Sequence, residues 1–593
     1  MIRTRSTKVN TTKWYDSSSL FLNRVAPSLV HDYTNQRYYN SADGETAFPF
    51  TATRTTNATQ FDAQGRLVWA PANLCPQSEN FASASWAVSG GGGSKTTGVA
   101  DPNGGTAACT FTASGVNAVL QLSTGSGVVG QNYTVTMWLR RRTGSGTVQI
   151  RAIESVNTTV AVTTSWQKFS VAATATTTTF RVGINISTTG DEVDIAFPQA
   201  EVTGPNSPIP YISTGSSASN FYGARFDYDP LTLTPRGVLI EESRTNLQPI
   251  SQGATSDWTA NFGTLTSTGA TIAGNAAYTF TVTSTGSAQF VFVTTNAGTL
   301  SASTSYTSSI RVKKGNHPRV QFTVSNNTFL PAGTDAYVNY NFDTDTLTVA
   351  GSASPKGTRT LCSDGSVILT LTYTTGSAPT AGASGIICLV DTDGAVRLAG
   401  TGTNGATVHV LGVQLEQGAF VTSYIPTYGV TATRAADTLT VSTGAWLTQS
   451  LGTFFVEYIE TKLPSGVFPT LVQIDDGTAS NVMQVFSGTN STGSTGGARI
   501  DTGGAGQVNG TTSNHINFGT PTRTAMAYTA NNTRLVTQGG TVVPDTTCTM
   551  GTGINTLRIS KNTGSVVNAR WIKSIRYYGD VSASDAQLQA LTA

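Results

Sequence analysis

Paired carboxylates are the first residues in this sequence that could do chemistry, because an enzyme needs titratable groups that converge on one substrate. Glu241 and Glu242 form the tightest pair. Adjacent residues of a strand point to opposite faces of the sheet, so these two carboxylates cannot flank one substrate bond. Asp191, Glu192 and Asp194 follow a glycine, and a Gly-Asp dipeptide is typical of a turn. We therefore assign no catalytic residue and expect that the protein is not an enzyme.

A second group of acidic residues alternates along the chain as the ligands of a calcium loop do. The two segments are Asp343-Thr344-Asp345 and Asp391-Thr392-Asp393-Gly394. Neither continues to the glycine and glutamate that a calcium loop requires, so hairpin turns are the favoured interpretation and a metal site is the alternative. The four histidines lie far apart and no Cys-x-x-Cys is present. We expect no metal and no cofactor.

Aromatic residues point to a different chemistry, the binding of sugars. The C–H faces of a sugar stack on indole or phenol rings, while amide, carboxylate and guanidinium groups bond its hydroxyls. The aromatic candidates are Trp86, Trp138, Tyr222, Trp258 and Trp446.

The sequence around these aromatic residues contains one series of landmarks twice. The first series is Asn73-Leu74, Trp86, Gln199-x-Glu201 and Tyr211-Ile212. The second series is Asn246-Leu247, Trp258, Gln414-x-Glu416 and Tyr424-Ile425. Landmarks that keep their order over such distances indicate a duplicated domain.

The duplication separates the aromatic candidates. Trp86 and Trp258 occupy equivalent positions, and a tryptophan repeated at a strand is more often a core residue than a ligand contact. Trp138 has Arg311 as its counterpart, so it is not a shared core position and is free to face a ligand or a neighbouring subunit. For the remaining two candidates, packing at a domain junction is the alternative to ligand contact. The predicted glycan-binding residues are Trp138, Tyr222 and Trp446.

The five cysteines are too few and too scattered for a disulfide scaffold. Cys75 could pair with Cys109, and Cys362 with Cys388, because each pair falls within one copy. The two copies place their cysteines differently, so free buried thiols are the favoured interpretation.

Short strand signals follow one another every eight to twelve residues or so, without helical periodicity, and predict β-sandwiches or jelly rolls. In the first copy such signals cover residues 133–139, 147–153, 166–172 and 180–186. The one convincing helix is at residues 582–591, where Ser582 or Ser584 can cap the N-terminus. The expected fold class is all-β, with tandem jelly-roll or β-sandwich domains.

The landmarks divide the chain into five parts. We predict an extended N-terminal segment at 1–72, jelly-roll domains at 73–213 and 246–428, a connector at 214–245 and a C-terminal sandwich at 429–593. The N-terminal segment is interrupted by prolines and cannot close a core alone, so we expect it to run along another surface or to oligomerise.

Charge is scarce in this chain and carries little partner information. Only 11% of its 593 residues are charged and the net charge is +2, so we expect no nucleic-acid partner. Arg140-Arg141-Arg142 is the one basic cluster, and we expect it to be a solvated strand end. No apolar stretch has the length of a membrane span, and no signal peptide is visible.

Three segments resemble bacteriophage virion proteins. They are Gly237-Val-Leu-Ile-Glu-Glu-Ser-Arg-Thr-Asn-Leu247, Gln414-Leu-Glu-Gln-Gly-Ala-Phe-Val-Thr-Ser-Tyr-Ile-Pro426 and Thr433-Arg-Ala-Ala-Asp437. The family consists of tail- or head-fibre and spike proteins with jelly rolls similar to carbohydrate-binding modules. The C-terminal part, with Asp475-Asp476-Gly477 and an Ile-Arg-Tyr-Tyr strand before the helix, resembles a concanavalin-A-like, laminin-G-type sandwich.

This resemblance implies a structural virion protein, a homotrimer whose N-terminal segment attaches it to other virion proteins. Its jelly rolls would project outward and bind host-surface carbohydrate. Two alternatives remain at this stage: a polysaccharide depolymerase carried on a similar fibre, and a bacterial surface adhesin.

Overall fold

The computed structural model describes residues 22, 27–39, 50–153, 157–252, 255–284, 290–293, 297–400, 403–461, 468–490, 493–512, 516–561 and 569–593. Within these ranges the chain forms antiparallel strands, two short α-helices and a 3₁₀ turn at Thr255–Asp257. The predicted all-β sandwich class is confirmed. No helix in these ranges has the length and apolar character needed to cross a membrane.

Six short strands precede the first copy of the repeat. They are β1 (Leu29–Asp32), β2 (Arg37–Tyr39), β3 (Thr51–Thr53), β4 (Thr59–Phe61), β5 (Leu67–Trp69) and β6 (Ala72–Asn73).

The first copy contains ten strands that pack as two five-stranded sheets. They are β7 (Trp86–Gly90), β8 (Gly93–Val99), β9 (Ala108–Ala113), β10 (Ala118–Ser126), β11 (Asn132–Thr143), β12 (Val148–Ala152), β13 (Asn157–Val160), β14 (Gln167–Thr174), β15 (Thr179–Ile186) and β16 (Glu192–Val202). The sheet orders are β13-β12-β15-β10-β7 and β14-β11-β16-β9-β8. The apolar residues at alternate positions of both sheets meet in one core, as period-2 patterning requires.

Four strands lie between the two copies: β17 (Phe221–Tyr222), β18 (Arg225–Tyr228), β19 (Pro235–Ile240) and β20 (Arg244–Asn246). The second copy has twelve strands and the four-residue helix α1 (Asn326–Phe329). Its strands are β21 (Trp258–Asn261), β22 (Gly263–Ile272), β23 (Asn275–Val282), β24 (Phe290–Val293), β25 (Ser305–Lys314), β26 (Arg319–Thr323), β27 (Tyr337–Asn341), β28 (Thr346–Ala350), β29 (Lys356–Leu361), β30 (Ser366–Thr374), β31 (Ile386–Leu389) and β32 (Thr407–Gln417).

The two copies share one topology. In the second copy the sheet orders are β21-β24-β31-β26-β27-β28 and β22-β23-β32-β25-β30-β29. Removal of β28 and β29 leaves the strand orders of the first copy. The segment that carries these two strands therefore adds one edge strand to each sheet and leaves the shared framework unchanged.

A third sandwich contains the C-terminal part of the chain. Strand β33 (Ala432–Arg434) comes before it and pairs with β20 in a separate two-stranded sheet. The strands of the sandwich that follow are β34 (Thr438–Ser442), β35 (Leu451–Glu460), β36 (Thr470–Asp475), β37 (Val482–Asn490), β38 (Gly493–Thr502), β39 (Ala505–Thr511), β40 (Pro521–Thr529), β41 (Thr533–Thr537), β42 (Val543–Asp545), β43 (Thr556–Ile559) and β44 (Arg570–Tyr578). The helix α2 (Asp585–Thr592) follows, with a capping box formed by Ser584 and Gln587, so the predicted C-terminal helix is confirmed.

The N-terminal segment and the connector complete this third sandwich. One sheet has the order β18-β19-β44-β35-β40-β41-β42, with β1 also paired to β44 and β2 paired to β1. The other has the order β3-β34-β43-β36-β37-β38-β39. Leu29 and Tyr33 from the N-terminal segment and Val238 and Ile240 from the connector are buried in its core. Strands β1 to β3 of the N-terminal segment therefore run along another surface, one of the two arrangements expected for this segment, and strands from 1–72 and 214–245 share the sandwich of 429–593. Residues 1–21, 23–26 and 40–49 lie outside the described residues.

The repeated landmarks form a hydrogen-bonded clasp at the end of each sandwich. In the first copy the Asn73 side-chain amide donates to the Ile212 carbonyl at 2.7 Å, and the Ile212 N–H donates to the Gln199 side chain at 2.7 Å. The Ser78 and Tyr211 hydroxyls bond each other at 2.8 Å.

The clasp of the second copy uses the equivalent atoms. Asn246 donates to the Ile425 carbonyl at 2.8 Å, and the Ile425 N–H donates to Gln414 at 2.6 Å. The Tyr424 hydroxyl donates to Ser251 at 2.9 Å. The duplicated motif therefore has a structural role, because it ties the chain that leaves each sandwich to the chain that enters it.

Segments from distant parts of the chain meet at a buried cluster of charged side chains, which we call the hub. It consists of Arg54, Arg225, Glu241, Arg434 and Asp437, whose side chains are all at most 4% exposed. Arg225 bonds Glu241 at 2.6 Å and also bonds Asp437, while Arg54 bonds Asp437 at 2.7 Å. The hub therefore joins the N-terminal segment, the connector and the C-terminal sandwich.

Loss of one hub partner should be costly, because it leaves an opposite charge buried and unpaired. We predict that Arg225→Met lowers the free energy of unfolding by about 3–5 kcal/mol. Urea denaturation followed by circular dichroism measures this loss. Arg359→Gln is the matched control, since Arg359 pairs with Asp345 at the surface and its removal should cost less than about 1 kcal/mol. Equal losses in the two variants would contradict the role assigned to the hub.

The hub also predicts a loss of stability in acid. Burial by itself would raise the pKa of Asp437, but Arg225, Arg54 and Arg434 outweigh burial and lower that pKa to about 2. A carboxyl with a lowered folded-state pKa stabilises the fold above its unfolded pKa of about 4, and this stabilisation is lost as the pH falls toward 2. Asp437 should therefore account for about 2 kcal/mol of lost stability between pH 4 and pH 2. Asp437→Asn should be less stable than the wild type at pH 7. In urea titrations its free energy of unfolding should fall by correspondingly less between pH 4 and pH 2. A variant that loses as much stability as the wild type over this pH range would contradict the prediction.

Candidate functional site

The structure places Trp446 in the core of the third sandwich. The side chain packs edge-to-face on Tyr577 with ring centroids 5.4 Å apart, and its indole N–H donates to the Ser442 carbonyl at 3.2 Å. The residue is 2% exposed, so no ring face is available for a sugar. Its prediction as a glycan-binding residue is wrong, because the junction that it occupies is a closed core. Trp86 and Trp258 are buried too, as expected from their repeated positions.

Trp138 lies on the outer face of the first sandwich, opposite Lys168 and Ala196 in the neighbouring strands. It is half-buried and belongs to a small apolar cluster with Trp166, Phe197 and Tyr211. The rings of Phe197 and Tyr211 are 5.0 Å apart. The cluster is a compact aromatic patch over the fully buried Ala196, and Trp138 contributes to packing there.

The basic residues beside this patch end strand β11, as expected, but they are ion-paired, which corrects the expectation that all three are simply solvated. Arg140 and Arg142 both bond Asp194, at 2.7 and 2.6 Å, and Arg141 bonds Asp191 at 3.0 Å. Their acidic partners, Asp191 and Asp194, are buried on the adjacent strand β16 and the turn before it. The sequence did not predict these ion pairs because the partners lie about fifty residues apart in the chain.

Tyr222 lines a cleft of about 400 Å³ that opens between the first sandwich, the N-terminal segment and the chain that leaves the second sandwich. We call this the Tyr222 cleft. Its aromatic lining residues are Trp69, Tyr133, Phe180, Tyr222, Tyr424 and Tyr428. Its amide-bearing lining residues are Asn57, Gln131 and Asn220, and threonine hydroxyls complete the wall.

Three local structures position the aromatic rings of the cleft. Strand β17 pairs with β6, with Tyr222 opposite Ala72, and this pairing holds the tyrosine beside the end of the first sandwich. Trp69 ends the β4–β5 hairpin. Tyr428 follows the clasp of the second sandwich and donates from its hydroxyl to Gln252 at 2.9 Å. The rings of these three residues are half-buried, so each retains accessible surface.

The polar groups of the cleft are neutral. The Tyr133 hydroxyl accepts from the Val128 N–H and donates to Gln131, both at 3.0 Å. Burial raises the pKa of Tyr133 and of Tyr428, so both phenols stay protonated at neutral pH. Among the described residues that line the cleft there is no Asp or Glu, and Arg434 is the one permanently charged side chain. The cleft is suited to hold a neutral polyhydroxylated molecule and carries no carboxylate pair for acid–base chemistry.

The acidic segments weighed in the sequence are engaged elsewhere. Asp343 and Asp345 lie in the β27–β28 turn, as predicted, and pair with Lys314 and Arg359. Asp393 pairs with Arg319 at 2.6 Å. Glu241 belongs to the hub, while Glu242 pairs with Arg244, so the two neighbours do face different partners.

The five cysteines are buried and unpaired, which confirms the favoured interpretation of free thiols. Burial raises the pKa of the Cys109 and Cys388 thiols to about 11, so neither is an activated nucleophile.

No family model matches the sequence, and no curated protein matches it. Among solved structures, the chain is similar to the CBM40 of the Ruminococcus gnavus IT-sialidase, bound to alpha2,3 sialyllactose, at 16% identity and a TM-score of 0.21, over 25% of this chain and 84% of that one. It is similar to the tandem CBM22 domains of Paenibacillus barcinonensis Xyn10C at 12% identity and a TM-score of 0.21, over 59% and 98% of the two chains. For domains LG4-5 of the mouse laminin alpha1 chain the identity is 10% and the TM-score 0.17, over 48% and 84%. At such scores these similarities assign no ligand to the Tyr222 cleft.

Proposed function

We propose that this chain is a non-enzymatic structural protein that binds glycans in the Tyr222 cleft. The observation that supports this function is the convergence of half-buried aromatic rings with amides and hydroxyls in a cleft free of carboxylates. Sugar recognition needs ring faces for the C–H groups and neutral donors and acceptors for the hydroxyls. The cleft volume of about 400 Å³ suits one or two sugar units of a longer chain.

The finer proposal is that the protein is a tail- or head-fibre or spike of a bacteriophage virion that binds host-surface glycans. Its support is the resemblance of 237–247, 414–426 and 433–437 to such proteins. In the structure these segments supply Glu241, Arg434 and Asp437 to the hub and Gln414 to the clasp. The resemblance is therefore carried by residues that hold the sandwiches together, which suits a family of structural proteins.

In the virion, the N-terminal segment 1–72 is expected to attach the protein to other virion proteins. Strands β1 to β3 of the N-terminal segment are paired within the third sandwich, so we propose that attachment uses residues of 1–72 outside these strands. The alternative of a depolymerase would require paired acids at the ligand, and the Tyr222 cleft has none among its described lining residues. The alternative of a bacterial surface adhesin shares the glycan-binding step and differs in location, which immunogold labelling of phage particles decides.

Glycan binding is tested first on an array of bacterial surface polysaccharides, and then by calorimetry with the best ligand. We predict that Tyr222→Ala weakens binding at least tenfold, because the stacking of the sugar C–H face on the phenol ring is lost. Tyr222→Phe keeps the ring and should bind within a few-fold of the wild type. Trp138→Ala is the control at the other aromatic position and should bind normally. Loss of binding in Trp138→Ala with retention in Tyr222→Ala would move the site to the outer face of the first sandwich.

The proposed fibre should be a homotrimer. The surface carries little charge, and exposed apolar side chains that do not line the Tyr222 cleft, such as Val116, Val396 and Phe468, are available for subunit contact. Light scattering coupled to gel filtration should give three times the mass of one chain at micromolar concentration. A monomer mass would contradict the trimer and leave the glycan site itself untouched.

A further inference from the structure

A second cavity, separate from the Tyr222 cleft, lies on the second copy of the repeat, where Arg311 occupies the position that Trp138 has in the first copy. The partners of Trp138 and Arg311 in the facing strands are Ala196 and Leu411. Each partner is followed directly by a bulge residue with a positive φ, Phe197 at 51° and Gly412 at 54°. A Cβ at position 412 would lie 2.0 Å from the Tyr424 hydroxyl, so only glycine fits there. The outer face of the second sandwich therefore lacks the aromatic patch of the first and has a guanidinium in its place.

This face encloses a chamber of about 200 Å³, which we call the Arg311 chamber. The N-terminal strand β4 covers it on one side with Gln60 and Phe61, and the third sandwich covers it on another with Trp571. Thr358 and Thr360 of β29 are exposed and line it as well, so the chamber reaches the surface beside this edge strand.

The guanidinium of Arg311 is buried there without its full set of partners. Arg311 is 5% exposed, and its Nε donates to the Ser366 hydroxyl at 3.0 Å. Nη1 and Nη2 have no hydrogen-bond partner among the described residues; the Asp364 carboxylate lies 3.9 Å from Nη2, beyond hydrogen-bonding distance, and the guanidinium carbon lies 5.0 Å from the centroid of the Phe61 ring. The side-chain oxygen of Gln60 is likewise buried without a donor. Buried donors of a charged group are costly to leave unpaired, so this pattern indicates a ligand site.

Three carboxylates lie around Arg311, and each has hydrogen-bond or ion-pair partners besides Arg311. Asp227 accepts from the Phe61 N–H at 2.6 Å and from the Trp571 indole at 2.7 Å. Glu241 is neutralised within the hub. Asp364 accepts from the Ala273 N–H at 2.7 Å and from the Ser366 hydroxyl.

We propose that the Arg311 chamber binds the carboxylate of a small hydroxy acid the size of a uronic acid. The two free guanidinium nitrogens form a planar fork that matches the two oxygens of a carboxylate. The Gln60 oxygen accepts from a hydroxyl of the ligand, while the rings of Phe61 and Trp571 lie against the guanidinium groups of Arg311 and Arg236 and help to hold these two arginines in place. Apart from Tyr424, which lines both sites, the Arg311 chamber has different lining residues from the Tyr222 cleft.

Calorimetry of the full chain with glucuronate, and with glucose as its neutral counterpart, tests the proposal. We expect glucuronate to bind and glucose to give no heat from this chamber. Arg311→Met should weaken glucuronate binding at least tenfold, because the fork is lost. The matched control is Arg319→Gln, which removes a surface arginine of the same sandwich and should leave binding unchanged.

A second variant keeps the test decisive if Arg311→Met does not fold. Gln60→Glu places a carboxylate in the chamber, where it pairs with the guanidinium and repels an anionic ligand, so binding should fall at least tenfold in a folded protein. Undiminished glucuronate binding in Arg311→Met or Gln60→Glu, or no binding by the wild type, overturns the proposal. Tyr222→Ala should bind glucuronate as the wild type does. If Tyr222→Ala is the one variant that loses the heat of glucuronate binding, the ligand occupies the Tyr222 cleft. That result would reject the Arg311 site and leave the proposed glycan-binding function standing.

Discussion

The hub is the interaction on which the arrangement of this molecule depends. Arg225 bonds two carboxylates from different parts of the chain, Glu241 and Asp437, and Arg54 reaches the second of them from the N-terminal segment. Each charge is buried and acceptable only while the others are in place. Segments separated by hundreds of residues must therefore assemble together at this one junction.

The duplicated sandwiches show how one framework supports different surfaces. The clasps of Asn73 and Asn246 use the same atoms, and the strand orders agree apart from two added edge strands. The outer faces have diverged, with Trp138 in an aromatic patch on one copy and Arg311 in a chamber on the other. Inner-face residues are constrained by a shared core, whereas an outer face is free to change with whatever covers it.

Both ligand sites that we propose lie where separate segments meet. The Tyr222 cleft takes its walls from the first sandwich, the N-terminal segment and the chain after the second clasp. The Arg311 chamber is closed by β4 and by Trp571 of the third sandwich. The hub ties the N-terminal segment and the connector to the chain around Arg434 and Asp437, and it contributes Arg434 to the lining of the Tyr222 cleft and Glu241 to that of the Arg311 chamber. Sites built in this way bind by preorganised shape.

The amino-acid sequence determined the all-β class, the duplication and the C-terminal helix, because strand alternation, repeated landmarks and a serine cap are local signals. It also indicated that Trp86 is a core residue and that Glu241 and Glu242 do not act together. It could not show that β1, β3 and β19 complete the third sandwich, since strand pairing over hundreds of residues leaves no local pattern.

The binding residues depended on that same long-range pairing. Trp446 and Tyr222 are both aromatic residues at junctions, yet one is enclosed by Tyr577 and the other lines an open cleft. Only the tertiary structure decided between them, because the exposure of a side chain is set by what packs against it from distant parts of the chain.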